Sequence, residues 1–552
     1  MRTNRRTCCM FRFQALARVA STVAVSCFVP CAMHLAWTPR AFGDQPPNVV
    51  LIMADDMGYS DLGCYGGEID TPVLDKLAAG GLRFTQFYNT GRCWTTRAAL
   101  LTGLYPHQAG HAWTYGASAP PAYRGNSRQN GLMIQEVLKT VGYDCYHVGK
   151  WHLNNSATPN ETWPLGRGFD RSYYLRTQNN FFNPQIVYDE DQRVERPGAD
   201  GDYYATEALS ERAIRYLKAH AADRGDQPFF LYLAYTAPHF PLHALPRDIE
   251  KFRGRYRQGW DVIRRERLNR QHELGIVSCD LSPRDPDAQA WDSLSEEEQK
   301  MWDERMALHA AMIHCIDRGV GRVVEQLEAT GALENTLVLF LSDNGASAEY
   351  IVRGDGNDLR APPGSADTFL CMEVGWSNAA NTPLRMHKIW MHEGGIATPL
   401  IAHWPRGIAA RGKLTHHVGH VIDILPTVVE LAGGSMPKRV DGRPTTPVTG
   451  LSLLPVFRDQ KCQPHEFLFW EHTGNRAIRH GDWKLVAEHQ GPWELYDLHS
   501  DRGESANLAA SRPELVDRLR KLWQQYADEI GVVPLSSLSS FLRELPQGYR
   551  KK

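Results

Sequence analysis

Two apolar runs of this 552-residue chain each close on a pair of oxygen-donor side chains. Asn48-Val-Val-Leu-Ile-Met-Ala ends in Asp55 and Asp56, and Leu337-Val-Leu-Phe-Leu-Ser ends in Asp343 and Asn344. Three carboxylates and one amide oxygen suit a hard divalent cation such as Ca2+ or Mg2+, and no Cys/His spacing points to structural zinc. Capping of the following turn accounts for either pair alone. Two matched pairs at two strand ends favour a shared metal. Two other runs end in basic or imidazole groups: Tyr143–Val148 leads into Gly149-Lys150-Trp151-His152, and Phe229–Tyr235 into Ala237-Pro238-His239.

The segment Cys93-Trp94-Thr95-Thr96-Arg97, continuing to Thr102-Gly103, carries a different chemistry. A lone cysteine is usually a small buried residue. A helix starting just after Cys93 would offer its free N–H groups and positive partial charge to an anion. Arg97, one turn further on, would add a charge-assisted donor at the same place.

These groups need a frame. The short apolar runs Asn48–Met53, Tyr143–Val148, Phe229–Tyr235, Leu337–Leu341 and Pro399–His403 alternate with helical patterns. That rhythm predicts an α/β fold: a large, mixed, mostly parallel sheet sandwiched by helices. Such sheets bind ligands at the carboxyl ends of their strands, which brings the paired residues to one cleft. A helix is expected over Met306–Ala329, stopped near Gly331. Residues 246–303, rich in Arg, Asp and Glu, read as a solvated insertion. After residue 457 the pattern changes to short antiparallel strands at Phe467–Trp470, Ala477–His480, Trp483–Ala487 and Glu494–Asp497. A helix after Pro513 then shows Leu515, Leu519, Leu522, Trp523 and Tyr526 on one face. The chain therefore divides into a large domain over 44–456 and a small C-terminal α+β subdomain over 457–552.

Residues 1–43 read as a secretory signal peptide: arginines without acids, an uncharged run from Val19 to Pro39, then Ala41-Phe42-Gly43 for cleavage. An uncleaved anchor is the competing reading. The polar residues within the run make a poor membrane span, so no stable membrane insertion is expected after cleavage. The full chain has 61 Lys+Arg and 63 Asp+Glu, a formal net charge of −2. Without the six arginines of the leader the balance becomes 55 to 63, or −8. Neither value suits a nucleic-acid binder. Eleven cysteines are too sparse for a disulfide scaffold, and seven survive cleavage. An odd number in an exported, periplasmic or secreted protein leaves at least one thiol outside any pairing.

Cys93-x-x-x-Arg97 followed by Thr102-Gly103 resembles the signature of the type I sulfatases, the formylglycine-dependent branch of the alkaline phosphatase-like superfamily. The resemblance runs from Asn48 to Leu508. It includes Asn48–Gly58, Gly149–His152, Ala237–His239, Ser342–Gly345, Asn381–Arg385, His392–Gly395 and Glu494–Leu498, all in the family's order. The stretch from Gly259 to Pro286 is most similar to bacterial arylsulfatases. Thr95 departs from the pattern, standing where the family usually has Pro or Ala, inside the sequence read by the maturation enzyme.

The resemblance implies hydrolysis of sulfate monoesters of the arylsulfatase type. It implies that a formylglycine-generating maturation enzyme oxidises Cys93 to formylglycine (3-oxoalanine). It also implies one divalent cation, Ca2+ ahead of Mg2+, on Asp55, Asp56, Asp343, Asn344 and the modified Cys93. One oxygen of the hydrated aldehyde would attack sulfur, and the second hydroxyl would then lose its proton and expel sulfate. In this scheme Asp343 is the base, Arg97 positions residue 93 and Lys150 neutralises sulfate oxygens. His152 takes up the second proton, while His239 and Lys388 bind sulfate and protonate the departing oxygen. His243, His387 and His392 are further candidates for the substrate pocket. Aryl sulfates and sulfated carbohydrates are equally compatible, with specificity expected in loops 110–130, 170–200 and 246–303. The rival readings are a phosphate or phosphonate ester hydrolase on the same fold and a non-catalytic, secreted carbohydrate-binding relative.

Overall fold

The computed structural model describes residues 45–538 except 115, 117, 127–130, 196, 198–202, 355 and 441. The leader expected over 1–43 lies outside the described residues. The chain builds an eleven-stranded sheet from β1 (Asn48–Asp55), β2 (Leu82–Tyr88), β3 (Asp144–Gly149), β4 (Arg171–Leu175), β5 (Val187–Asp189), β6 (Gln192–Val194), β7 (Phe229–Pro238), β8 (Thr336–Ser342), β9 (Ala397–His403), β10 (Lys413–Thr415) and β11 (Gly419–His420). Their order is β10-β2-β9-β8-β1-β7-β3-β4-β5-β6, with β11 also on β2. Strands β8, β1, β7, β3 and β4 are mutually parallel. β9 runs antiparallel to both β8 and β2. The mostly parallel α/β sandwich expected from sequence is the fold observed.

Strands β7 and β8 are buried along their whole length and β1 everywhere but its first residue. Apolar runs of this kind require cover on both faces. The helices Ala205–Arg224 and Glu296–Ala329 pack on each other and on β7. The helices Cys93–Thr102 and Ile134–Lys139 both pack against Ile424–Leu431.

The helix expected from Met306 starts ten residues earlier, at Glu296, where Ser295 and Glu298 form a capping box. The segment 246–303 is also more buried than its charge suggests. Trp260 packs edge-on against Trp291 and Trp376, with centroids 4.8 and 5.6 Å away. Arg267, fully buried, donates to both oxygens of Glu68 at 2.7 and 2.8 Å and to Asp61 at 2.8 Å. Its charges are neutralised by protein carboxylates instead of by solvent, which composition alone does not distinguish.

A hairpin of β12 (Arg439–Val440) and β13 (Arg443–Pro444) precedes the C-terminal sheet. That sheet consists of β14 (Leu468–His472), β15 (Asn475–His480), β16 (Trp483–Ala487) and β17 (Glu494–Asp497), antiparallel in sequence order. The helix Pro513–Ile530 packs on β15 and β16. It buries Leu519, Trp523, Ala527 and Ile530, while Leu515, Leu522 and Tyr526 of the expected face are half-buried. Trp470 on β14 donates its indole N–H to the carbonyl of Asn89, 2.7 Å away, just beyond β2. The small sheet thereby touches the chain that leads to Cys93.

Candidate active site

The carboxyl ends of the parallel strands collect the predicted groups at one edge. Asp55 is the last residue of β1, and Asp56 follows in a left-handed conformation, φ 68°. Asp343 and Asn344 follow β8, Lys150 follows β3 and His239 follows β7. β2 runs out through Asn89–Arg92 into the helix Cys93–Thr102, whose ten residues are all buried. Because β9 is reversed, the chain entering it delivers Lys388 to the same edge. Residues as non-glycine in left-handed backbone as Asp56 and His152 (φ 61°) mark places where the surroundings dictate the conformation.

Three buried cations and their carboxylate partners form the floor. Arg97 donates to Asp343 Oδ2 through Nη2 at 2.6 Å and Nε at 3.2 Å, and through Nη1 to the Lys150 carbonyl at 3.1 Å. Lys150 Nζ lies 2.6 Å from Asp55 Oδ2. Lys388 Nζ lies 2.8 Å from Asp56 Oδ2 and 2.9 Å from Glu349 Oε2. Burial disfavours the Asp55 anion, yet Lys150, His239, Arg97 and Lys388 together hold its carboxyl well below the usual range. Burial and the neighbouring Asp55 push Asp343 the other way, upward, against the pull of Arg97. Burial also opposes the Lys388 ammonium, but Asp56 and Glu349 keep it charged far above its ordinary range.

Above this floor opens a cavity of about 450 Å3 lined by Cys93, Lys150, His152, His239, Glu349 and Lys388. Arg92, Arg176 and Arg353 complete its walls, so five Lys and Arg side chains face a single acid, Glu349. The chain's formal net charge of −2 hides a locally cationic pocket. His239 donates from Nδ1 to the Phe240 carbonyl, which leaves Nε2 facing Asp56 Oδ2 at 3.7 Å. Burial pushes its pKa down to about 4, so the neutral imidazole prevails. His152 sits at the mouth with its ring 5.6 Å from that of Trp94.

The residues fit a hard cation. Asp55 Oδ1 and Asn344 Oδ1 are buried without a hydrogen-bond partner. Asn344 spends its amide N–H groups on Asp56 Oδ1 and the Gly345 carbonyl, at 2.6 and 2.9 Å. Orphaned buried oxygens are costly unless something takes their lone pairs. Asp55, Asp56 and His239 each place one donor atom within 4.8 Å of the others, the one such group among the described residues. Asp343 and Cys93, expected as ligands, are not among those three. Asp343 Oδ2 accepts from Arg97, while its Oδ1 accepts from the Asp56 N–H at 3.3 Å, beside that group.

Several residues of this site escaped sequence reasoning. Glu349, 2% exposed, joins Lys388 to Arg92, whose Nη1 is 3.4 Å away. Gln178 Nε2 donates to Asp55 Oδ2 at 3.1 Å, and the Tyr232 hydroxyl accepts from Arg97 at 3.3 Å. Loop 170–200 was expected to shape specificity, and its Arg176, Gln178 and Asn179 line the cavity. The three further histidines are occupied elsewhere. His243 accepts from the Phe181 N–H and donates to the Thr368 carbonyl. His387 binds Ser377 and Asp285, and His392 faces Glu494. Thr95 is well accommodated, donating to the Arg92 carbonyl at 2.9 Å and accepting from Thr90 at 2.7 Å. All seven cysteines among the described residues are unpaired, Cys93 included.

Comparison with known proteins agrees with this arrangement. Residues 47–435 match the sulfatase family model, and residues 385–529 match that of the N-sulphoglucosamine sulphohydrolase C-terminal region. The arylsulfatase of Klebsiella aerogenes is 34% identical over 77% of this chain and 95% of its own. The N-acetylgalactosamine-6-sulfatase of Rattus norvegicus is 30% identical over 80% of this chain and 71% of its own. The crystal structure of Ps i-CgsB in complex with k-i-k-neocarrahexaose superposes with a TM-score of 0.63 at 25% identity, covering 88% of this chain and 93% of that one. With the family model spanning most of the chain and an edge of paired acids and cations built as described, the protein belongs to the sulfatase family and is a sulfuric ester hydrolase.

Proposed function

We propose that the protein hydrolyses sulfate monoesters of carbohydrates or aryl alcohols with residue 93, matured from cysteine to formylglycine, and one divalent cation. The observation that carries this reading is Cys93 itself, at the first turn of a buried helix and on the wall of a cavity dominated by cations. Hydrated formylglycine supplies an oxygen nucleophile that divides the transfer into two easier steps. Asp55, Asp56, Asn344 and Asp343 would hold a divalent cation, which when bound would supply positive charge for the sulfate oxygens and acidify that nucleophile. Ca2+ is the expected ion, since it accepts a flexible set of protein oxygens whereas Mg2+ demands a near-ideal octahedron and keeps several waters.

The chain's own residues do the rest. Arg97 locks Asp343 beside the nucleophile, with two N–H groups on one carboxylate oxygen. Lys150 and Lys388 present ammonium groups to the sulfate oxygens. Lys388, kept charged by its two carboxylates, hands a proton to the departing oxygen, while His152 takes one from residue 93 as sulfate leaves. His239, neutral and tied through Nδ1 to the Phe240 carbonyl, turns Nε2 toward the same edge, 3.7 Å from Asp56 Oδ2. The names of the relatives, an arylsulfatase and an N-acetylgalactosamine-6-sulfatase, and the saccharide held by Ps i-CgsB support carbohydrate sulfates as well as aryl sulfates. A cleaved leader over residues 1–43, as read from the sequence, would put this work in the periplasm or outside the cell, after encounter with the maturation enzyme.

Expression with a formylglycine-generating enzyme, followed by peptide mass spectrometry, should find the aldehyde at residue 93. The same sample should turn over 4-nitrophenyl sulfate with a much higher kcat/KM than 4-nitrophenyl phosphate, and Cys93→Ala should abolish turnover with the fold intact. Preference for the phosphate, or an active Cys93→Ala variant, would overturn the proposal.

A further inference from the structure

Lys388 stands in a short segment whose backbone is held in an unfavourable shape. Met386 and Ile389, on either side of His387-Lys388, are left-handed, with φ of 67° and 86°. A β-branched residue such as Ile389 adopts that region only where its surroundings impose it. Backbone contacts supply part of that constraint. The Lys388 N–H donates to the Ala346 carbonyl at 3.1 Å, and the Ile389 N–H to the Gly91 carbonyl at 2.7 Å, two residues before Cys93. Asn381 Nδ2 donates to the Met386 carbonyl at 3.1 Å. A cavity of about 280 Å3 nonetheless lies along the segment, lined by Asp285, Asn378, Arg385 and Met386. On that side the backbone has room to relax unless a side chain pins it.

His387 is placed to do so. It is 2% exposed, with Nδ1 2.8 Å from the Ser377 hydroxyl and Nε2 3.0 Å from Asp285 Oδ2. Assigning the proton to Nε2 satisfies both nitrogens without charge: the ring donates to Asp285 and accepts from Ser377. Serine, histidine and aspartate follow one another here as in a nucleophilic triad. Ser377, however, is fully buried on the helix Glu373–Ala380, so its hydroxyl can meet no substrate. The three side chains form a brace.

The far end of the brace is itself anchored. The Asp285 N–H donates to Asn378 Oδ1 at 3.2 Å, and Asp285 Oδ1 accepts from the Asp287 N–H at 2.8 Å. Nearby, the Ser282 N–H donates to the Pro383 carbonyl at 3.2 Å, and buried Arg264 donates to the Ser282 carbonyl at 2.7 Å. Arg264, Ser282 and Asp285 all belong to the segment 246–303, which is thereby bolted to the chain on either side of Leu384–Met386.

We propose that His387, clasped between Ser377 and Asp285, is a positioning residue for Lys388, and that the segment 246–303 acts on the reaction by holding it there. The proposal rests on the sulfate-hydrolase reading above, in which Lys388 hands a proton to the departing oxygen. A residue that acts through a general acid leaves a signature that a general loss of packing does not. The rate falls most for leaving groups that need the proton: 4-nitrophenolate departs readily without it, and 4-methoxyphenolate does not.

The test compares the matured parent with His387→Ala, Asp285→Ala and Asp285→Asn on 4-nitrophenyl and 4-methoxyphenyl sulfate, each sample shown by mass spectrometry to carry the aldehyde. His387→Ala should lower kcat/KM for the methoxyphenyl ester about tenfold further than for the nitrophenyl ester, mostly in kcat. Asp285→Ala should shift the ratio in the same direction. Asp285→Asn should recover most of that loss, because its amide can exchange a hydrogen bond with either tautomer of His387. Equal losses on the two esters overturn the proposal, as does parental behaviour in the alanine variants. An Asp285→Asn enzyme as impaired as Asp285→Ala also overturns it. Should His387→Ala fail to fold, Asp285→Ala decides alone, since that side chain lies on a loop and is 9% exposed. A parent that carries the aldehyde and hydrolyses neither ester sinks the sulfate-hydrolase reading, and this proposal with it.

Discussion

Replacing Glu349 by Gln probes the one buried acid of the pocket that no sequence pattern announced. Its carboxylate holds Lys388 at 2.9 Å and Arg92 at 3.4 Å, and only 2% of its surface is exposed. At an effective dielectric of ~20, a unit pair at that shorter distance is worth ~6 kcal/mol. Removing the charge also returns the several kcal/mol that burying a carboxylate costs, so the net loss falls to about 3 kcal/mol. The entropy of unfolding, about 2.1 cal/mol/K per residue, amounts to roughly 1 kcal/mol/K for a folded chain of about 500 residues. Glu349→Gln should therefore lower Tm by about 3 °C in a thermal-shift assay. Its effect on catalysis follows from the geometry. With Glu349 neutral, Lys388 is drawn toward Asp56, its remaining partner at 2.8 Å. The ammonium then sits off the line of the departing oxygen, and kcat/KM for 4-nitrophenyl sulfate should fall about tenfold, mostly in kcat. A variant matching the parent in both Tm and kcat/KM would refute the claim that Glu349 holds Lys388 in place.

Three further outcomes are expected. Chelation should inactivate the enzyme and Ca2+ restore it more fully than Mg2+, and Asn344→Ala should weaken Ca2+ binding in calorimetry by about tenfold or more, since it deletes a buried oxygen that has no other partner. Asp317 accepts the Leu74 and Val73 N–H groups at 2.8 and 3.2 Å, and burial pushes its carboxyl up to about 6 from 3.8. The native state then holds this proton more tightly than the unfolded chain, so its contribution to stability falls as pH rises from about 4 to about 6. Asp317→Asn should remove that fall, visible as a Tm difference that shifts in the variant's favour across this window and stays flat above it. Trp523→Ala removes a ring stacked 5.5 Å from Phe469 and a hydrogen bond to the Trp470 carbonyl, and it should cost about 3–5 kcal/mol in stability while leaving KM unchanged.

How much of this was legible in the sequence depends on whether a residue's role is set by its neighbours along the chain or by contacts across the fold. Asp55, Asp56, Asp343, Asn344, Lys150 and His239 were legible because each follows an apolar run, and the end of a doubly buried parallel strand is where such a sheet puts ligands. The direction of β9 was not, since an apolar run reads alike whichever way it points. Lys388 could be named only through resemblance, although the reversal of β9 is what brings it to the edge. β2 went unnoticed because Leu82-Arg-Phe-Thr-Gln-Phe-Tyr88 mixes polar residues into a strand whose burial is partial, and the helix it launches was found through Cys93 alone. Glu349 and Gln178 lie on loops with no period, and their worth exists only once Lys388 and Asp55 are beside them. The same logic explains the buried contacts that composition hid within 246–303. A buried Arg267 clasped by Glu68 and Asp61 has the composition of a solvated surface, and three residues separated by roughly 200 positions must meet before the difference exists. That segment also lines, with Trp260 and Asp287, a cavity of about 470 Å3. What the sequence concealed was therefore less the chemistry, which is written at strand ends, than the selectivity, which is assembled from loops by long-range contact.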